Sequence, residues 1–166
     1  LEKAYADTLS RVPSGATIFD AHTHVGDDID GFYSRRDELL AFLDRSGAVG
    51  AFTFCLDEPD REPAFTAAND RTMADAAQSG GRLLPFVRLD LEDSPIEEAR
   101  RVLDLGARGI KLHPRAQQFS VGDARLDPVF GLSAEFGVPI LIHAGRGMPM
   151  IADELAQLMS SHERAQ

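Results

Sequence analysis

Asp20-Ala-His-Thr-His-Val-Gly26 is the segment that decides the fold of this chain. It ends the first β-type run, residues 17–25, in which apolar and polar side chains alternate. His22 and His24 are two residues apart, so a strand directs both imidazoles to the same face. Two neighbouring neutral imidazoles are half of a site for zinc or a similar divalent metal. The segment therefore predicts a metal site at the carboxyl end of a first strand.

The rest of the chain repeats the pattern of a short strand followed by a longer helix. Further strand-type runs are residues 49–56, 83–89, 108–113 and 139–144. They begin at intervals of roughly 30 residues, the size of a βαβ unit. Helix signals lie between and after them, with Ser34 as the expected cap of the first helix and Ser94 opening a capping box before the third. This alternation predicts a parallel sheet covered by helices.

Two parallel architectures compete, an open doubly wound sheet and a barrel. Side chains alternate within the runs, so one face is expected to be bulky and to lie under helices, with Phe19, Phe52, Phe54, Ile110 and Ile142. The other face turns polar at the strand ends, and Asp20, Lys111 and His113 are expected to line the mouth there. A doubly wound sheet would need two equally apolar faces. We therefore predict one α/β domain over residues 1–166, a TIM (β/α)8-type barrel with about five β/α units present.

Four of the five histidines lie at predicted carboxyl ends of strands: His22, His24, His113 and His143. In a barrel all these ends meet at one mouth. A single histidine is more often a satisfied polar residue, but four in equivalent places favour a functional site.

These motifs resemble those of a known family. Asp20-Ala-His-Thr-His-Val-Gly26 resembles the first strand of the amidohydrolase superfamily. Gly109-Ile-Lys-Leu-His-Pro114 and Val138-Pro-Ile-Leu-Ile-His-Ala-Gly145 are similar to the fourth and fifth strands of its amidohydrolase-related branch, amidohydrolase 2, which also includes decarboxylases. The likeness covers nearly the whole chain, from about residue 17 to the last predicted helix.

The resemblance implies a mononuclear or binuclear divalent metal site, with zinc favoured and manganese, cobalt or iron as alternatives. It assigns His22 and His24 as ligands from the first strand and His143 as the ligand from the fifth. The family adds a histidine on a sixth strand and a proton-shuttling aspartate on an eighth, both expected beyond residue 166. No catalytic residue is therefore assigned here, and the chain is expected to be an N-terminal part of a barrel that is inactive alone.

The fourth strand leaves its roles open. Many members of the superfamily carry a bridging carboxylated lysine there, and Lys111 could be this residue. Alternatively, Lys111 or His113 binds an anionic substrate. His113 could also be a further metal ligand. A buried Lys–Asp pair would explain Lys111 equally well. Arg88, at the end of the third strand, suits a substrate carboxylate through its two-pronged donor geometry, although a structural pair with Asp90 is the more common arrangement.

The resemblance implies a metal-dependent hydrolase that uses a metal-activated water on an amide, ester or lactone bond of a small molecule. The first alternative is a non-oxidative, metal-dependent decarboxylase of a small carboxylic acid. The second is a non-catalytic barrel fragment.

Composition narrows the expected partners. The 166 residues carry a formal net charge of −10, which argues against nucleic acid and anionic membranes. The single cysteine, Cys55, excludes an intrachain disulfide, and its apolar strand predicts a core position. A small-molecule substrate and a cytoplasmic location are expected, and homo-oligomerisation of the full-length protein is left open.

Overall fold

The computed structural model describes residue 8, residues 10–145 and residues 151–166. Its strands are β1 (Ile18–Asp27), β2 (Tyr33–Ser34), β3 (Ala48–Cys55), β4 (Leu83–Pro85), β5 (Val87–Arg88), β6 (Ile110–Leu112) and β7 (Ile140–Ile142). Its helices are α1 (Arg36–Ser46), α2 (Thr66–Ala77), α3 (Pro95–Asp104), α4 (Pro114–Gln117), α5 (Leu126–Phe136) and α6 (Ala152–Ser161). None of these helices is long and apolar enough to cross a lipid bilayer.

The strands form two sheets, in the orders β2-β1-β3-β4 and β5-β6-β7. All pairs are parallel except β1 with β2. Phe86 joins the two sheets: its N–H donates to the carbonyl of Thr53 at 2.8 Å, while the next N–H, of Val87, donates to Gly109 at 2.9 Å. The parallel strands therefore follow one another in chain order, as in a barrel wall, and do not show the reversed order of a doubly wound sheet. Over the described residues the sheets do not close.

The helices cover one side of these sheets. A smaller cluster joins α1 to β1 and β3 through Leu39, Leu43, Val25 and Ala51. A larger cluster packs helix residues such as Val102 and Val129 against Ile110 and Leu112 of β6, with Ile142 at its margin. The predicted position of Ile110 under helices is thus confirmed, whereas Ile142 is only partly buried at the edge of this cluster and also borders the open carboxyl end of the strands.

The predicted orientation of the phenylalanines is wrong. Phe54 pairs with His24 in the sheet, and its ring lies 4.5 Å from that of His24. Phe52 contacts both Phe19 and Phe86, with ring centroids 4.8 and 4.7 Å away. These rings lie on the face of the histidines, while the buried small residues of β3, Ala51 and Cys55, face the helices.

An irregularity in β1 explains part of this error. Between Asp20 and Thr23, β1 advances three residues while β3 advances two, from Ala51 to Thr53. The extra residue is a β-bulge, which interrupts the alternation of side chains on which the prediction depended. Asp20, expected at the mouth, pairs with Ala51 and accepts a hydrogen bond from the N–H of His22 at 3.0 Å.

The two serine caps also differ from expectation. Ser34 pairs with Gly26 in β2, and α1 begins only after Arg35. Ser94 does precede α3, and Pro95 is its first residue, but the serine has φ +46° and its side chain makes no capping hydrogen bond. Strand pairing and a left-handed backbone have displaced the two hydroxyls from the capping position.

Gly109→Ala is expected to destabilise the protein by about 1–3 kcal/mol, because a methyl group there would overlap the ring of Phe86 where the two sheets join. Urea denaturation measures this loss. Gly131→Ala is the matched control: a methyl group there would meet only His162, at an ordinary 3.9 Å, and alanine favours the helical position in α5 by up to about 1 kcal/mol. Equal stability of the two variants would contradict the packing described at Phe86.

Candidate active site

A cavity of about 800 Å³ opens at the carboxyl ends of the strands. Five of the six residues singled out in the sequence line it: His22, His24, Arg88, His113 and His143. The sixth, Lys111, is buried on the side of the sheet that carries the histidines, with Nζ 4.7 Å above the ring of Phe54. The size suits a small-molecule ligand.

His22 and His24 form one pair in this cavity. Their ring centroids are 5.2 Å apart, and both rings contact the edge or face of Phe54. Burial, followed by the neighbouring His22, lowers the pKa of His24 to about 3, and burial also lowers the pKa of His22. Both imidazoles are therefore neutral near pH 7, which is the form that binds metals.

His113 and His143 form a second pair. Their rings are stacked, with centroids 3.9 Å apart and planes inclined by 12°. The backbone N–H of Ala116 donates to Nδ1 of His113 at 3.1 Å. Burial, followed by the charge of His143, lowers the pKa of His113 to about 4, and burial lowers the pKa of His143.

The backbone of Arg88 is held by the side chain of Asn69, which lies on α2. The Asn69 side chain accepts from the N–H of Arg88 at 2.9 Å and donates to its carbonyl at 3.0 Å, as a neighbouring strand would. The same amide group donates to buried Glu98 at 2.8 Å. Asn69 carries no signal in the sequence, because its role depends on a helix packing across a strand.

The guanidinium of Arg88 keeps donors free. Nη1 donates to the carbonyl of Cys55 at 3.2 Å, and the group lies 4.8 Å above the ring of Phe65. Nε and Nη2 are buried without a hydrogen-bond partner among the described residues. The nearest carboxylate is that of Asp57, 3.6 Å from Nη2, and not that of Asp90 as the sequence suggested.

Lys111 also lacks a partner in the described part of the chain. It is 1% exposed, makes no ion pair there, and leaves Nζ without a hydrogen bond. A buried Lys–Asp pair is therefore not what holds it. Burial, followed by the charge of Arg88, lowers the pKa of Lys111 to about 8.

The donor set fits a divalent metal in chemistry but does not form a complete site. Nδ1 of His24 is buried without a hydrogen-bond partner in the described part of the chain, and a metal would satisfy such an atom beside a second neutral imidazole. Within residue ranges 10–145 and 151–166, however, no three histidine, cysteine or acidic side chains lie close enough together to hold an ion. The assignment of His22, His24 and His143 as metal ligands accordingly stays a prediction.

Solved structures resemble this fold at low sequence identity. A Staphylococcus aureus protein assigned as an amidohydrolase matches with 16% identity and a TM-score of 0.69, over 91% of this chain and 66% of that one. The 2,6-dihydroxybenzoate decarboxylase from Rhizobium matches with 20% identity and a TM-score of 0.65, over 90% and 64%. A protein from Acinetobacter baumannii assigned as a 2-pyrone-4,6-dicarboxylic acid hydrolase matches with 13% identity and a TM-score of 0.60, over 88% and 54%.

The present chain thus spans between 54% and 66% of the length of these three proteins. Its own fold is mixed α/β with parallel sheets, and it shares this fold with the three solved structures. The comparison with curated proteins found no match. The sequence model of the amidohydrolase family matches residues 19–163, most of the chain. The resemblance of the strand motifs is thereby confirmed, and the chain belongs to the amidohydrolase family.

Proposed function

We propose that the protein is a metal-dependent hydrolase acting on an amide, ester or lactone bond of a small molecule. The observation that carries this proposal is the His22–His24 pair, with ring centroids 5.2 Å apart, at the edge of a cavity of about 800 Å³. Nδ1 of His24 is buried and has no hydrogen-bond partner among the described residues. Family membership supports it. Zinc is the first candidate, with manganese, cobalt or iron as alternatives, held by His22, His24 and His143. When bound, it would supply Lewis-acid activation of water and of the scissile carbonyl.

The chain's own residues prepare this cavity for a polar substrate. Phe54 packs against both rings of the histidine pair and fixes their orientation from below. Arg88 contributes a positive charge, and the side chain of Asn69 holds the backbone of Arg88 through two hydrogen bonds. Leu56 and Ile142 add apolar wall, which favours the exclusion of water around the reacting group.

A second candidate is non-oxidative decarboxylation of a small carboxylic acid. The specific observation in its favour is that Arg88 and Lys111 are both buried cations near the histidines, with N–H groups that make no hydrogen bond to any described residue. Cations placed in this way favour a substrate carboxylate. One of the similar structures is itself a decarboxylase.

The test is metal removal and replacement in the full-length protein. We expect a chelator to abolish turnover, and zinc, manganese, cobalt or iron to restore it, since the metal supplies the activation of water. Products are analysed after incubation with panels of amides, esters, lactones and carboxylic acids. Release of carbon dioxide without water addition would replace the first function by the second. A protein that binds no metal and turns over no member of the panels would contradict both.

A further inference from the structure

The side chain of His113 has one ring nitrogen already engaged. Nδ1 accepts the backbone N–H of Ala116 at 3.1 Å, so Nδ1 carries no proton. The ring is therefore neutral, and its single proton lies on Nε2. A metal-binding imidazole needs an available lone pair, and in this arrangement neither nitrogen of His113 offers one. Nε2 is instead a hydrogen-bond donor.

The position of this donor is fixed by the chain around it. His113 precedes α4, whose residue Gln117 accepts from the N–H of His113 at 2.9 Å and donates its own N–H to the carbonyl of His113 at 3.0 Å. The ring is also stacked on His143. A donor held by backbone bonds and by stacking binds a ligand group without first having to be ordered.

The surroundings select a negatively charged acceptor. Arg88 lines the same cavity as His113, and Lys111 lies two residues before His113. Within the described residues, Nε and Nη2 of Arg88 and Nζ of Lys111 make no hydrogen bond. Asp57 is the one carboxylate paired with Arg88 in the described residues, at 3.6 Å, and Lys111 has none. Asp28 and Asp30 also line the cavity, but the Asp28 carboxylate accepts the backbone N–H groups of Asp30 and Asp57, and Asp30 is exposed to solvent. Arg88 and Lys111, in contrast, are buried, and buried cations favour an anionic ligand.

We propose that His113 binds the substrate and not the metal, donating a hydrogen bond from Nε2 to a carboxylate oxygen that lies beside Arg88. The substrate is accordingly a small molecule that carries a carboxylate in addition to the bond that reacts. This inference rests on the proposed function and names the substrate class of the same site.

Two substitutions of His113 separate its two nitrogens. His113→Asn places an amide oxygen near the position of Nδ1, so it keeps the acceptor for Ala116 and removes the donor. His113→Gln places an amide N–H near the position of Nε2, so it keeps a donor and loses the cap. The probes are benzoate and benzamide, a carboxylate and its neutral analogue, titrated by calorimetry into full-length protein with zinc and after chelation.

The wild-type protein is expected to bind benzoate more tightly than benzamide. His113→Asn should weaken benzoate binding roughly tenfold, the loss of one hydrogen bond to a charged group, with zinc content unchanged. His113→Gln should retain more benzoate affinity than His113→Asn and melt at a lower temperature. Arg100→Gln, which removes a surface arginine paired with Glu135, is the control. This variant should change neither the affinity for benzoate nor the zinc content.

Several results would overturn the inference. They are loss of zinc from His113→Asn, benzoate affinity equal to wild type in that variant, and failure of the wild type to bind benzoate more tightly than benzamide. The tautomer is tested without any substitution, because ¹⁵N spectra of wild-type protein report which ring nitrogen carries the proton. A proton on Nδ1 of His113 would also overturn it. Failure of the proposed function would appear instead as absent metal or turnover in the wild type, which leaves the measurements on chelated protein intact.

Discussion

His24→Ala is expected to abolish stoichiometric metal binding by the full-length protein and to lower kcat/KM by about 100-fold or more. The substitution removes one imidazole of the His22–His24 pair and with it the buried, unpartnered Nδ1 that fits a metal. Even groups that only orient metal ligands cost about 10–100-fold when removed, so loss of a ligand should cost at least as much. Elemental analysis and steady-state kinetics with the metal-restored protein measure the two effects.

The matched control for His24→Ala is His162→Ala. His162 lies outside the cavity, where it bonds to Asp127 at 2.8 Å, so its loss removes a histidine without touching the candidate site. Metal content and turnover should stay at wild-type values in this variant. A His24→Ala protein that keeps its full metal content would remove His24 from the ligand set, whatever its activity.

Asn69→Ala is expected to destabilise the protein by about 3 kcal/mol and to raise KM more than it lowers kcat. The side chain is buried, and its removal leaves the N–H and carbonyl of Arg88 and the carboxylate of Glu98 each without one partner. A buried polar group left unpaired costs about 1–3 kcal/mol. The KM effect follows because Asn69 positions Arg88, which is expected to hold the substrate. Urea denaturation and steady-state kinetics test the two parts.

Thr72→Val is the control for this prediction. Thr72 is buried on the same helix, but its hydroxyl bonds only to the carbonyl of Ala68 within that helix, at 3.0 Å. Because this bond ties no second element to α2, the loss should be about 1 kcal/mol or less, with KM unchanged. If Asn69→Ala were no more destabilising than Thr72→Val, or left KM unaltered, Asn69 would not be the positioning residue described.

The periodicity of the sequence predicted the parallel pairing of the strands and the edge of the sheet at which the candidate site lies. Alternating strands and helices predicted parallel pairing, and in a parallel sheet all carboxyl ends lie at one edge. Residues far apart in the chain, such as His22, Arg88 and His143, could therefore be placed around one cavity from chain order alone. The family followed from the first-strand motif, since few other arrangements of histidines end a first strand in this way.

Periodicity does not say which face of a strand is which. Phe52 and Phe54 were expected under helices because they are bulky, yet they lie beneath the histidines. The inner side of a barrel-type sheet is itself a packed layer below its mouth, so it needs large side chains as much as the outer side does. The helix-facing side of β3 is built from small residues such as Ala51 and Cys55, which let α1 and α2 approach closely.

By itself, then, the sequence determined the α/β class with parallel strands, the edge at which the site lies and five of the side chains that line it, because these depend on local period and chain order. Only the tertiary structure decided the clamp of Asn69 on Arg88, the unpaired state of Lys111 among the described residues and the donor tautomer of His113. Each of these depends on which atoms of distant or turning segments come within hydrogen-bond distance. Such distances are set by how helices pack across the strands, and no spacing in the sequence encodes them.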